Sequence, residues 1–150
     1  IKILMFKEKI MSILQPSGFE IEYIKISSFS FQQYGSIDND LDKQLALGHS
    51  MNASAKEIES NKYEIQVIVD LQCSQGDNKI FTITSNLIGL FNVTHISNDD
   101  DKRLLLQNMV AIIYSYLRPI VAQMSVMGKL PPLDLQPVNF TQFDIAINDR

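Results

Sequence analysis

The sequence has few of the residues that most enzymes and metal sites depend on. In 150 residues there are one cysteine, two histidines and no tryptophan. A single cysteine, Cys73, permits no internal disulfide, so nothing indicates an oxidising compartment. His49 and His95 have no cysteine or carboxylate at metal-ligand spacing, and the chain has neither a glycine-rich phosphate loop nor a Gly-x-Ser-x-Gly elbow. We therefore predict no metal, no cofactor, no catalytic residue and no enzymatic activity.

Positive charge is also scarce. Thirteen lysines and arginines stand against seventeen acidic residues, a formal net charge of −4, which argues against a nucleic-acid partner because such partners normally require a basic patch. The first fifteen residues scatter Lys2, Lys7, Glu8 and Lys9 among apolar residues instead of forming a charged cluster followed by an apolar run, so no secretory signal is predicted. We expect a cytoplasmic protein. With 45% hydrophobic residues, one domain of this length can bury a core unaided.

The longest apolar stretch predicts a helix that begins near Asn98 and ends at Gly128. Asn98 or Asp99 can cap it, and the acidic residues that follow suit the positive end of the helix dipole. From Leu104 to Met127 the apolar residues occupy more than one face, which exceeds what packing on a single core requires. Pro119 removes a backbone donor and predicts a kink.

This helix could span a membrane or could be buried on two sides. A span would place Gln107, Asn108, Arg118 and Gln123 in hydrocarbon, where a central charge costs roughly 3 kcal/mol or more, so no membrane span is predicted. Burial between copies explains the pattern at lower cost. We predict a homo-oligomer, a dimer of dimers, with an interface formed by Leu105, Met109, Ile112, Ile113, Ile120 and Met124.

After the helix, the segment from Leu130 to Pro137 cannot be helical, because each proline pushes its predecessor toward extended geometry. Leu133 and Leu135 alternate with polar residues, as expected for an extended strip with one apolar edge. A short terminal helix is predicted next, carrying Phe140, Phe143, Ile145 and Ile147.

Upstream of the long helix, four strands are predicted. The first begins at Phe19, where apolar and acidic residues alternate; the phase slips at Ile24 and again before Phe29, which indicates a β-bulge or bend. Residues 49–60 form a weak strand, residues 63–73 alternate almost cleanly, and residues 79–94 form the fourth strand. Turn residues between them predict an antiparallel sheet, and the helices that follow predict an α+β fold. Residues 3–14 predict an additional amphipathic helix, which divides the chain into an extension, 1–18, and a domain, 19–150.

Several of these residues also form the pattern of a known family. Tyr116, Arg118, Gly128 and Pro131, followed by Leu133, Leu135 and the Pro137-Val138-Asn139-Phe140 ending, have the order and spacing found in the SecB protein-export chaperones. Gly89-Leu90-Phe91 and Phe29-Ser30-Phe31 are similar to two strands of that family. The chain thus resembles SecB over roughly residues 19 to 145.

The resemblance implies a chaperone that holds unfolded or precursor polypeptides in an apolar groove. The residues that we expect to line it are Phe81, Ile83, Tyr114, Tyr116, Leu133, Leu135 and Phe140. The client is either a secretory precursor or, as in the toxin–antitoxin branch of the family, an antitoxin. An oligomeric scaffold of the same fold without general chaperone activity is the alternative.

The resemblance does not extend to every partner. SecB chaperones contact the motor ATPase SecA through acidic residues on the solvent-facing side of the sheet. The matching positions here are Ser28, Gln32 and Thr84, none of which is acidic, so we expect SecA binding to be weak or absent.

Overall fold

Four antiparallel strands form the body of the chain in the computed structural model, which describes residues 18–38, 44–140 and 145–148. The strands are β1 (Phe19–Gln33), β2 (Leu45–Glu59), β3 (Lys62–Gln75) and β4 (Asn78–Val93), and they lie in the order β1-β4-β3-β2. The two hairpin turns contain Asn61 and Gly76, both with positive φ near 60°, the left-handed geometry that tight hairpins require. The α+β fold predicted from the sequence is confirmed.

The phase slips in β1 appear as two shifts of register against β4. One lies between Ile21 and Tyr23 and the other between Ile26 and Ser28. Each bulge restores the alternation, so that apolar residues on both sides of it return to the same face. β1 nevertheless lies at one edge of the sheet, where most of its side chains remain exposed.

The clean alternation of β3 separates a dry face from a wet one. Tyr63, Ile65, Val67, Val69, Leu71 and Cys73 are all buried, whereas Asp70 and Gln72 on the other face are exposed. In β4, the odd-numbered residues from Phe81 to Phe91 continue the dry face, because each lies directly opposite an odd-numbered residue of β3. The dry face is the one that receives the helix.

The helix α1 (Asp99–Met127) packs across this dry face, over β3, β4 and the end of β1. Asn98 is its N-cap, and the Asn98 side-chain oxygen accepts a hydrogen bond from the Asp101 N–H at 2.9 Å. The helix continues through Pro119. Its length and composition alone would also suit a membrane span, but its buried side chains, Leu106, Met109, Val110, Ile113, Leu117 and Val121 among them, belong to the same core as the sheet.

The terminal segment differs from the prediction. Ala146–Asn148 forms a fifth strand, β5, parallel to β2 at Ser54–Lys56, so Ile147 lies in a strand and not in the predicted helix. Residues 143, 145 and 147 alternate with period two, which suits a strand edge as well as a helix. Phe143 and the predicted helix over residues 3–14 lie outside the described residues.

Candidate functional site

Beyond α1 the chain reverses and runs back along the helix as an extended strip, Leu130–Val138. Gly128 and Lys129 make the turn: their N–H groups donate to the Met124 and Val126 carbonyls, and Lys129 has a φ of 61°. A side chain at residue 128 would place its Cβ 2.9 Å from the Phe31 ring. A larger residue here would have to displace the Phe31 ring, so glycine suits the place where the helix end meets β1.

Polar side chains of α1 hold the strip by its main chain. The Leu133 N–H donates to the Ser125 hydroxyl at 2.9 Å, and the Tyr114 hydroxyl donates to the Gln136 carbonyl at 3.0 Å. As the strip residue number rises, the helix residue number falls, so the strip runs antiparallel to α1. Burial raises the pKa of the Tyr114 phenol, against an opposing effect of the nearby Arg118 charge. The Tyr114 hydroxyl is therefore a protonated donor at neutral pH.

A third contact lies between these two. The Arg118 Nε donates to the Leu135 carbonyl at 2.7 Å, and its NH2 group lies 3.5 Å from a carboxylate oxygen of Asp134. The Arg118 side chain is about one third exposed, whereas that of Asp134 is largely in solvent. Such an exposed ion pair contributes little stability, so the short, charge-assisted bond to the carbonyl is the stronger interaction.

The strip covers the sheet instead of leaving an open channel above it. Leu130, Leu135 and Phe140 are buried, and the Phe140 ring packs edge-on against Tyr114 with centroids 5.5 Å apart. Of the residues predicted to line a groove, Phe81, Ile83, Tyr114, Leu135 and Phe140 are thus core residues in the described chain. Leu133 is half-buried, and Tyr116, 52% exposed, lies on the outer side of α1. The predicted set is therefore not found together on one surface.

The predicted oligomer interface divides in the same way. Met109 and Ile113 are fully buried within one chain. Leu105, Ile112, Ile120 and Met124 are half-buried. The exposed apolar side chains of α1 are Leu104, Tyr116, Val126 and Met127. None of the four is in the predicted interface, and only Tyr116 is in the predicted groove.

An apolar surface that the sequence did not reveal lies on β2. Leu45 and Leu47 lie opposite Gln75 and Cys73 of β3, on the same face as α1, yet they are 49% and 39% exposed. Within the described residues, the outer edge of β2 is paired only at Ser54–Lys56, by β5. The stretch Leu45–Ala53, which we call the β2 ledge, therefore combines exposed leucines with an edge that no described strand covers.

A cleft of about 510 Å³ lies between β2 and β5 on the face of the sheet away from α1, since its β3 lining residues are the even-numbered Gln66 and Ile68. It is lined by Met51, Asn52, Ala53, Ser54, Gln66, Ile68, Ile145 and Ala146. Apolar walls with a few amide and hydroxyl groups are typical of sites that receive a side chain and orient its backbone. A weak strand rich in small residues was the only sequence signal for this site, because small side chains leave the backbone accessible.

The positions expected to meet SecA do share a surface. Ser28, Gln32 and Thr84 lie on the face of the sheet away from α1, since their register partners are Asn86, Thr82 and Ser30. Asp70 lies directly opposite Thr84 on β3 and adds one carboxylate to this face. The centre of the open face thus consists mainly of neutral polar groups.

The family described as preprotein translocase subunit SecB matches residues 14–145. The chain belongs to the SecB family. Its sequence is 27% identical over 125 residues to the protein-export protein SecB of Xanthomonas euvesicatoria, covering 82% of this chain and 73% of that protein. Against the protein-export protein SecB of Orientia tsutsugamushi it is 28% identical over 116 residues, covering 77% and 67%.

A solved structure agrees with the SecB fold. The SecB-like chaperone Rv1957 of Mycobacterium tuberculosis, in complex with a ChAD peptide from the antitoxin HigA1, superposes with a TM-score of 0.68 at 13% identity, covering 81% of this chain and 91% of that one. At such low identity the likeness supports the fold alone. Within the SecB fold, the sequence resemblance through Tyr116, Arg118 and the Pro137–Phe140 ending falls on α1 and the strip.

Proposed function

We propose that this protein is a SecB-type chaperone that holds unfolded polypeptide in an extended form along the β2 ledge, next to the strip. The observation that carries the proposal is the ledge itself: exposed Leu45 and Leu47 beside a strand edge that is paired only at Ser54–Lys56 among the described residues. An extended client can bond to such an edge through its backbone and place alternate apolar side chains against the leucines. Recognition of this kind requires hydrophobicity and little sequence specificity.

The test compares two faces of one strand. Leu45→Ser with Leu47→Ser removes the apolar contact, whereas Ala46→Ser changes an exposed residue on the opposite face of β2. We expect the double variant to bind a fluorescent unfolded client about tenfold more weakly or worse, because two half-exposed leucines contribute roughly 1 kcal/mol each when covered. Ala46→Ser should bind as the wild type does.

The outcomes discriminate between a chaperone and a scaffold. Failure of the wild type to suppress aggregation of several unfolded clients would leave only an oligomeric scaffold without client capture. Equal binding by the double variant would move the site away from the β2 ledge. Clients should include both a secretory precursor and an antitoxin-derived peptide. The client that binds more tightly then indicates which of the two proposed classes the protein serves.

We further propose that copies of the chain associate through apolar surfaces outside the ledge. The outer side of α1 offers Tyr116, Val126 and Met127, and the edge strand β1 exposes Ile21 and Ile26. An exposed edge strand with apolar side chains invites pairing with another copy. Light scattering at micromolar concentration should give about 68 kDa, four chains of 17.0 kDa; a monomer mass would refute the assembly.

We expect SecA to bind only weakly. The open face around Thr84 presents Asp70 as its nearest register-paired acid, and charge complementarity mainly sets association rate and specificity. Titration with SecA at low salt should show weak binding. Tight, salt-sensitive binding would contradict it.

A further inference from the structure

Arg118 is the one charged residue between Leu104 and Gly128, a stretch whose core-facing side chains pack on the sheet. Its guanidinium does not reach a buried acid. Instead it spans two successive residues of the strip, bonding the Leu135 carbonyl at 2.7 Å and lying 3.5 Å from the Asp134 carboxylate. An arginine has a planar fork of donors that can make both contacts together.

These two contacts match the native register of the strip. In an extended chain, alternate side chains point to opposite sides, so Leu135 is buried and Asp134 is exposed. A slip of one residue would bring Asp134 toward the core and turn the leucines outward. Only the native register offers Arg118 a carbonyl and, one residue earlier, a carboxylate.

The neighbouring contacts supply less of this discrimination. Tyr114 bonds the Gln136 carbonyl, a group that every residue presents. Ser125 accepts from the Leu133 N–H; a slip in one direction would bring Pro132, which has no N–H, to that place, but a slip in the other direction would offer the N–H of Asp134. Arg118 alone, among the three, also contacts a strip side chain.

We infer that Arg118 is a positioning residue that fixes the register of the strip and thereby the half-buried Leu133 beside the client surface. This inference rests on the proposed function for its effect on clients, but its structural part stands apart from it. Arg118 itself need not touch the client.

The structural part is tested by amide exchange resolved residue by residue. Arg118→Ala and Arg118→Lys should each raise the exchange rate of the Leu133 N–H about tenfold, the effect expected from losing one charge-assisted hydrogen bond nearby. Lysine should not rescue, because its ammonium lacks the fork. The Leu130 N–H, bonded to the Ser125 carbonyl at the end of α1, should change less than twofold and serves as internal control.

Matched variants separate positioning from general stability. Arg103→Ala removes an exposed arginine from the same helix and should leave Leu133 exchange unchanged. Asp134→Asn, which leaves the Nε–carbonyl bond, should have an intermediate effect of about threefold. Unchanged Leu133 exchange in both Arg118 variants, or equal acceleration at Leu130 and Leu133, would overturn the inference.

The client part uses dissociation kinetics of a labelled unfolded polypeptide. Arg118→Lys should speed dissociation severalfold with association within twofold of wild type, because the wall of the site is loosened while encounter is unaffected. If the client dissociation rate stays unchanged although Leu133 exchanges faster, Arg118 acts only on the structure of the strip. That result would overturn its role toward clients. If the wild type binds no client, the proposed function falls while the exchange result still decides the register.

Discussion

Gly89 of β4 provides the sharpest test of how the sheet meets the helix. It lies on the dry face, and a Cβ built there would come within 2.6 Å of a Phe91 ring carbon and 2.9 Å of the Ile113 Cδ1. Ordinary carbon contacts are about 3.5–4.0 Å. Gly89→Ala therefore forces an overlap of about 1 Å.

Neither neighbour can move at low cost. Phe91 and Ile113 are both fully buried, and the Phe91 ring also packs edge-on against Phe19 with centroids 5.6 Å apart. Overpacking of this kind typically costs about 1–3 kcal/mol, because side chains leave their preferred rotamers or the elements separate. The loss outweighs the gain of up to about 1 kcal/mol that alanine brings by restricting the unfolded chain.

Gly48 on β2 is a matched control in the same sheet. A Cβ there would meet only the Gln72 carbonyl at 3.8 Å, an ordinary contact. We expect Gly48→Ala to be neutral or stabilising by up to about 1 kcal/mol and Gly89→Ala to be destabilising by about 1–2 kcal/mol net. Urea unfolding at one fixed protein concentration measures both, and equal stability of the two variants would refute the close packing at Gly89.

Three further outcomes follow from burial and capping. Leu135→Ala should lower the free energy of unfolding by about 3 kcal/mol and Leu133→Ala by about 1 kcal/mol, since only the first is a core residue; urea unfolding that finds equal losses would contradict the strip register. Asn98→Ala should lower the free energy of unfolding by about 1 kcal/mol in the same assay through loss of the N-cap. An unchanged free energy of unfolding would show that this cap does not stabilise the helix. Burial raises the pKa of the Cys73 thiol above its ordinary value of 9.0. The contribution of the thiol to stability is therefore present below about pH 9 and is lost as the pH rises through the folded-state pKa. The free energy of unfolding of Cys73→Ala should fall less above pH 9 than that of the wild type, and an identical fall would contradict this account.

The elements were predictable because their periods are plain in the sequence. The alternation from Tyr63 to Cys73 has a single interpretation as a strand with one dry face, and the capping residue Asn98 marks the start of α1. The bulges of β1 were predictable for the same reason, since a slip of phase in an alternating pattern requires an extra residue.

The site was harder to predict because apolar character does not say what covers a residue. Met109 and Tyr116 are both apolar positions of one helix, yet one is fully buried by the sheet and the other is half exposed. Leu135 and Phe140 are apolar, as the walls of a groove would be, but both are buried in the core that the strip shares with the sheet. Exposure on the β2 ledge depends on where the strip and β5 end, which no local pattern of Leu45 and Leu47 encodes.

The way the strip is held has a consequence for what it can recognise. Tyr114, Arg118 and Ser125 bond main-chain atoms of the strip, so attachment makes few demands on the side chains that the strip carries. The half-buried Leu133 can therefore change without removing any of these three bonds, whereas Leu135 is constrained by the core. If the client site is the one that we propose, attachment of the strip is thereby separated from the surface presented to a client, and we expect client preference to vary through Leu133 and the ledge leucines while the fold that supports them stays the same.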